Sequence, residues 1–217
     1  MVEMPEDAES QGRHRRPSHA GARIPPMSAF KADLHRYLQA GRDAVLAKMD
    51  GLSDYDTRRP LVPTGTNLLG LVKHLASVEL GYFGGVFGRP SSIALPWFEE
   101  GAEPNADMWA TPDESRAQIV ELYHQAWERA DATIDALALD ATGMVPWWNT
   151  DRPVTLHHIL IHVTAETHRH AGHADLVREL VDGQAGYDSP GDNLPPWDAA
   201  GWAAYRRRLQ EAAEMMS

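Results

Sequence analysis

Cysteine is absent from all 217 residues. That excludes disulfides, thiolate zinc sites and a cysteine nucleophile, so any metal must be held by nitrogen and oxygen donors. Basic residues are the minority, with 20 Lys and Arg against 31 Asp and Glu and a formal net charge of −11. A nucleic-acid backbone is therefore not expected as the main partner, because phosphate binding needs a basic surface. No run of eighteen apolar residues occurs, so no membrane span is expected. The charged start of the chain is followed by no apolar stretch, so no secretory signal is expected either, and a cytoplasmic location is the default expectation. What is present is 43% hydrophobic residues, enough to build a core at the size of one domain, and 11 histidines.

The histidines are unevenly spread. Six of them fall between His157 and His173, mostly inside "HVTAETHRHAGHAD". The surrounding chain reads as helices. Residues 1–26 are polar, carry Pro and Gly and show no apolar period, and are expected to be a disordered tail. Phe30, Leu34, Tyr37, Leu38, Val45 and Met49 recur at helical spacing from Met27 to about Asp50. A second helix is expected after Thr66 or Asn67 as N-cap, ending near Gly88. Thr111-Pro112-Asp113-Glu114 predicts the start of a third, with a Thr cap, Pro at the first position and Glu completing a capping box. Its predicted buried stripe is Ile119, Leu122, Tyr123, Ala126, Ile134 and Leu137. Thr155 caps the fourth, which ends at Gly183. A Pro-rich stretch then leads to a short basic helix around "AAYRRRLQEAA". Four long helices without a strand pattern predict an all-α bundle. The expected division is a tail at 1–26, a bundle at 27–185, and an extension at 186–217 packing on it.

On a helical wheel, Ile159, Val163, Val177 and Val181 form the core stripe of the fourth helix, flanked by Leu156, Ala174 and Leu180. Glu166, His170 and His173 fall in the middle of that stripe and His162 near its edge. His157 and His168 point toward solvent. A carboxylate on a buried stripe is costly unless paired or bound to a cation. Residues i and i+4 sit one above the other, so Glu166 and His170 can aim at a single point. Two side chains do not make a site. His74, between Leu71, Leu75 and Val78 on the second helix, is the best-placed third donor, whereas Glu79, Glu121 and Glu128 have phases that look more exposed. His74, Glu166 and His170 would make a two-His, one-carboxylate site with open coordination positions. The donor types suit zinc, and also nickel, iron, cobalt or manganese.

"LLGLVKHLASVE" and "TLHHILIHVTAETHRHAGHADLVRELVDG" resemble the DinB/YfiT-like metalloenzyme family, and in particular an actinobacterial branch with the "RHAGHADLVREL-DG" signature. The resemblance covers about residues 28–185. It implies an up-down-down-up four-helix bundle. It also implies a metal held by a His on the second helix and an i, i+4 pair on the fourth, here His74, Glu166 and His170. The family more often has His where this chain has Glu166; the Glu form resembles mycothiol-dependent maleylpyruvate isomerase and favours a slightly harder metal. Relatives that use mycothiol or bacillithiol imply a small thiol as cosubstrate.

On this reading the metal is a Lewis acid that lowers the pKa of a bound thiol or water. A protein without cysteine must take its thiol from outside. His162, His173 and Arg169 are the candidate acid/base and positioning groups. Trp148, Asn149 and Arg152, with Trp147, are candidates for the mouth of the site, although the two tryptophans also suit a core cap. The expected partner is a small electrophile that accepts the thiol or is isomerised by it, with the chain a monomer or homodimer. A non-catalytic metal-binding module, a hydrolase acting through bound water, and a dimerisation scaffold with a vestigial site all stay open. Metal is expected to leave below about pH 6, because its ligands must be deprotonated.

Overall fold

The computed structural model describes residues 27–187 and 189–217. The expected disordered tail at 1–26 lies outside the described residues. The chain is all-α but for one short strand pair, as expected. Helix α1 spans Met27–Ala47, the short α2 Asp54–Arg58, α3 Leu68–Glu79, α4 Arg116–Ala136, α5 Leu156–Asp182 and α6 Ala199–Glu214. Two-residue strands β1 (Thr142–Gly143) and β2 (Val154–Thr155) pair antiparallel immediately before α5 and fix where it begins.

Residue pairings give the directions of the four long helices. Lys31 near the start of α1 donates to Leu137 O beyond the end of α4 (2.9 Å), and Arg116 at the start of α4 donates to Leu52 O beyond the end of α1 (2.9 Å). These two run antiparallel. His168 meets Tyr37 O at 2.9 Å and Arg178 donates to Lys48 O at 2.9 Å, so α1 and α5 run parallel. Lys73 pairs with Glu114 (2.9 Å) and Arg89 with Thr133 (3.1 Å), so α3 and α4 are parallel as well. The order is up-down-down-up. The apolar core lies between the four, with Leu71, Leu75, Tyr123 and Ala126 in one cluster and Leu38, Phe83, Ile134, Ile159 and Val163 in another. Each fully buried aliphatic side chain of this kind contributes roughly 1.5–3 kcal/mol.

Local signals set most of the boundaries. Asn67 caps α3 by accepting from Gly70 N, and Thr155 caps α5 by accepting from His158 N. Gly183 ends α5 with φ 77°, a conformation that costs glycine little. The third helix departs from expectation. Thr111 N does bond Glu114 Oε2 (2.7 Å), but Glu114 also pairs with Lys73 of α3, and that local turn does not continue. The helix starts four residues later, at Ser115, with Gln118 completing the capping box.

Other expectations are corrected by packing. Leu180 is 58% exposed rather than on the flank of the core, while Arg178 is buried and bonded to Lys48 O, Asp50 O and Asp182. His168 faces α1 rather than solvent. Glu79, expected near the surface, is 0% exposed, because ten of the twelve residues of α3 are buried and the helix has almost no solvent face. The extension meets the bundle through Lys48, whose ammonium bonds Gly186 O and Tyr187 O (2.8 Å to the latter). Beyond that point α6 has no fully buried side chain, and the Trp197, Trp202 and Tyr205 rings meet one another edge-on or tilted.

Candidate metal centre

The site begins with two helices crossing. Helix α3 runs down and α5 up, so His74 on the first faces the i, i+4 pair Glu166 and His170 on the second. His170 Nε2 lies 3.0 Å from Glu166 Oε1, and His74 Nε2 lies 3.6 Å from the same oxygen. The His74 and His170 rings meet edge-on, with centroids 4.9 Å apart. One donor atom from each of the three lies within 4.8 Å of the others. A tetrahedral ion with bonds of about 2.0–2.1 Å separates its donors by roughly 3.3 Å, so the three atoms are at a suitable spacing.

The surroundings hold these donors in position. Asp107 Oδ2 sits 2.6 Å from His74 Nδ1. The carboxylate accepts a hydrogen bond from Nδ1–H and leaves Nε2 with its lone pair aimed at Glu166 and His170, the arrangement by which carboxylates orient metal-binding imidazoles. His74 Nε2 is buried and has no hydrogen-bond partner. A buried ring nitrogen without a partner is costly, and a cation among these donors would satisfy it. On the other side, His173 Nδ1 lies 3.3 Å from His170 Nδ1 and steadies that ring.

Asp107 comes from the long connection between α3 and α4, and Gly70 lets that connection approach. A Cβ on Gly70 would lie 1.8 Å from Met108 O. Asn67 Nδ2 (3.2 Å) and Lys73 Nζ (3.0 Å) then hold Met108 O and Trp109 O against the start of α3. Nothing periodic in "EPNADMW" announces Asp107.

The electrostatics favour ligand-ready forms. Burial alone would raise the Glu166 carboxyl, but His170 and His74 outweigh it and hold it below the ordinary value. Burial lowers the His170 imidazole, with the like charge of His74 in the same direction. The hydrogen bond from His74, against the opposing effect of burial, holds Asp107 low.

A cavity of about 680 Å³ opens beside these donors. Its polar end is His74, Glu166, Asp107 and His162; Val78, Leu95 and Phe98 supply apolar wall.

 Leu95 and Phe98 come from the same connection that carries Asp107. At the far end, α3 loosens into a π-helical turn, Leu80–Gly84, of a kind that often marks functional sites. This turn carries Tyr82, whose hydroxyl lies 3.1 Å from His162 Nε2. The spacing from His74 to Val78 to Tyr82 is a helical column, and it is the one sequence signal that could have pointed to Tyr82.

A family profile described as Mycothiol-S-transferase matches residues 33–183, well over half of the chain. The chain belongs to the mycothiol S-transferase family. This is a DinB-like family, in agreement with the resemblance carried by the two long motifs. No curated protein matches the sequence. The stretch shared with the mycothiol S-transferases contains all three donors, Asp107, Tyr82 and His162; α6 falls outside it.

Within this mycothiol S-transferase domain the other candidate residues separate. His162 lines the cavity. His173 touches His170 and does not line the cavity. Arg169 is exposed, with its guanidinium 3.9 Å from Glu166 Oε2. Trp147 lines the cavity, whereas Trp148 packs against the core, and each donates its indole N–H to Tyr82 Oη, at 3.2 and 3.0 Å. Asn149 and Arg152 are exposed in the following loop and are not among the lining residues. His157 is exposed, as expected. Glu121 and Glu128 are exposed on α4, while Glu79 is engaged with Arg42.

Proposed function

We propose that the chain is a divalent-metal-dependent S-transferase that joins a small external thiol of the mycothiol kind to a small electrophile. The observation that carries this reading is the buried, partnerless His74 Nε2 converging with Glu166 and His170 at the end of an open cavity. Family membership supports the thiol. His74, Glu166 and His170 would hold the metal, with zinc the first choice for two imidazoles and a carboxylate. When bound, it would supply Lewis acidity to the sulfur or oxygen that reaches it.

The chain's own residues do the rest. Asp107 orients His74 and His173 orients His170. The apolar wall at Val78, Leu95 and Phe98 takes the body of the electrophile and excludes water from the reacting atoms. His162 accepts the proton that leaves the thiol as the sulfur–carbon bond forms. The group displaced from carbon departs with its electron pair and takes up that proton, so the balance is one thiol and one electrophile to one thioether and one protonated leaving group. Burial lowers the His162 imidazole, and the charge of Glu166 only partly offsets this, so the ring is a neutral acceptor at neutral pH. Arg169, exposed beside Glu166, supplies a cation for an approaching anion. Trp148, Asn149 and Arg152 belong to the loop that borders the cavity, where Trp148 supports Trp147. The same site would serve an isomerisation if the thiol added and then left.

No helix among the described residues is long and apolar enough to cross a membrane, and a cytoplasmic enzyme acting on diffusible substrates is the reading we adopt. The test is thiol consumption with a fluorogenic electrophile, run with the zinc-loaded chain. Mycothiol should be consumed by the wild type and not by His74→Ala. A wild type that binds zinc but consumes neither mycothiol, bacillithiol nor glutathione would leave a metal-binding module and overturn the transferase reading.

A further inference from the structure

The hydroxyl of Tyr82 makes three hydrogen-bond contacts, the full complement of a phenol. Trp147 Nε1 and Trp148 Nε1 approach it at 3.2 and 3.0 Å, and His162 Nε2 at 3.1 Å. An indole nitrogen can only donate. A phenolic oxygen has two lone pairs and one proton. The two indoles therefore occupy both lone pairs, and one contact remains, the one to His162. It can be made only with the phenol proton. His162 Nε2 must then be the acceptor, and in the neutral ring the proton sits on Nδ1.

We propose that Tyr82 is the proton relay of this site, committing its hydroxyl proton to His162 Nε2 and holding that imidazole as the neutral, Nδ1-protonated acceptor. The inference rests on the S-transferase reading for what is deprotonated, but the tautomer is a property of the protein alone. Three further observations fit. Tyr82 stands on the π-helical turn that follows α3, and its hydroxyl reaches His162 on α5. Tyr82, His162 and Trp147 all line the cavity that His74 and Glu166 also line. The two indoles differ: Trp148 packs against the core, while Trp147 is 53% exposed and is the one a ligand can displace.

The relay balances. A thiol S–H that takes the place of the Trp147 N–H donates to Tyr82 Oη. Its proton moves to Oη as the phenol proton moves to His162 Nε2. The sulfur keeps the bonding electrons, Tyr82 ends as it began, and His162 becomes imidazolium. The reverse path returns the proton to the leaving group. His158 and Glu166 on α5 act on this imidazole with opposite signs, and on the π turn and the 144–153 loop its neighbours are Tyr82 and Trp148.

The test is the histidine ring nitrogens read by ¹⁵N–¹H correlation in the full chain, zinc-loaded and metal-free, with His162 assigned by loss of its signals in His162→Gln. The wild type should show His162 as a single neutral tautomer, protonated at Nδ1 and bare at Nε2. Tyr82→Phe should lose that single form, and so should Trp147→Phe, which leaves Tyr82 in place but frees one of its lone pairs. Turnover by Tyr82→Phe should fall about 100-fold in kcat with KM little changed. A wild-type His162 protonated at Nε2 would overturn the proposal, as would a tautomer unchanged in Tyr82→Phe. If Tyr82→Phe does not fold, the wild type and Trp147→Phe still decide. Because the tautomer is read without thiol, it stands or falls separately from the transferase reading.

Discussion

Two of the polar side chains that helix α3 carries, Glu79 and His74, lie only five residues apart and have opposite fates. Glu79 meets Arg42, which bonds both carboxylate oxygens (2.9 and 2.5 Å), reaches Asp131 (2.9 Å) and Gln39 (2.9 Å), and lies over the Trp127 ring at 5.3 Å. Burial works against the guanidinium charge, and Glu79 and Asp131 outweigh it. His74 meets Asp107 on one nitrogen and has no hydrogen-bond partner on the other. Both clusters contain carboxylates and nitrogen donors in one bundle. The first is closed by its own residues and holds three helices together. The second leaves a buried ring nitrogen without a hydrogen-bond partner and opens on a cavity. An unsatisfied buried donor set is what distinguishes a site from a structural polar layer.

The sharpest way to break that comparison is to unpair the closed cluster. Arg42→Ala leaves Glu79 buried without a counter-charge and should cost about 3–5 kcal/mol in urea unfolding of the metal-free chain. His74→Ala removes a group already lacking one partner and should cost no more than about 1 kcal/mol in the same measurement. Similar losses for the two would erase the distinction.

Asp107→Asn tests the orientation of His74. It keeps the shape of the side chain but not the charge, and metal affinity should fall about 10- to 100-fold by competition with a chromophoric chelator. Gly70→Ala should lower affinity in the same direction without touching a donor, because it forces the connection carrying Asp107 away from α3. Unchanged affinity in both would separate Asp107 from the site.

The smallest effect is on pH dependence. Glu166 and Asp107 are held below their ordinary values, so both stabilise the fold when ionised. That stability is present above the ordinary carboxyl range and is lost as pH falls through their lowered values. His170 is lowered by burial, so the fold also loses stability as pH drops below the ordinary imidazole range. All three act in one direction. Metal-free stability should decline steadily with acid, and bound metal should steepen the decline by leaving as its ligands protonate. A metal-free chain more stable at pH 5 than at pH 7 would reverse the sign.

How much of this could be read from the sequence depended on whether the cause was local. Helix α5 was legible at both ends, because Thr155 and Gly183 act on their own turns. The donors Glu166 and His170 were legible because i, i+4 spacing is a property of one helix. His74 could be placed because it lies on a helical stripe, with the family resemblance in support. Glu79 could not. On a helix buried nearly all round, phase no longer separates core from surface, and its partner Arg42 is thirty-seven residues away. The start of α4 was misread because Glu114, the end of the apparent capping box, is drawn to Lys73. His168 was misread because α1 covers the side of α5 that a wheel assigns to solvent. Asp107 lies in an aperiodic loop whose position depends on a missing Cβ at Gly70.

Whether His74, Glu166 and His170 form one metal site open to a ligand is decided by cobalt. Cobalt titration followed by visible absorption tests it most directly, since the spectrum reports both stoichiometry and ligand field. The wild type should bind one cobalt ion per chain with the intense bands of low coordination, and mycothiol should add a sulfur-to-metal band. His74→Ala should lose both. A spectrum of hexaaqua cobalt in the wild type, or an unchanged one in His74→Ala, would show that these three residues do not hold the ion.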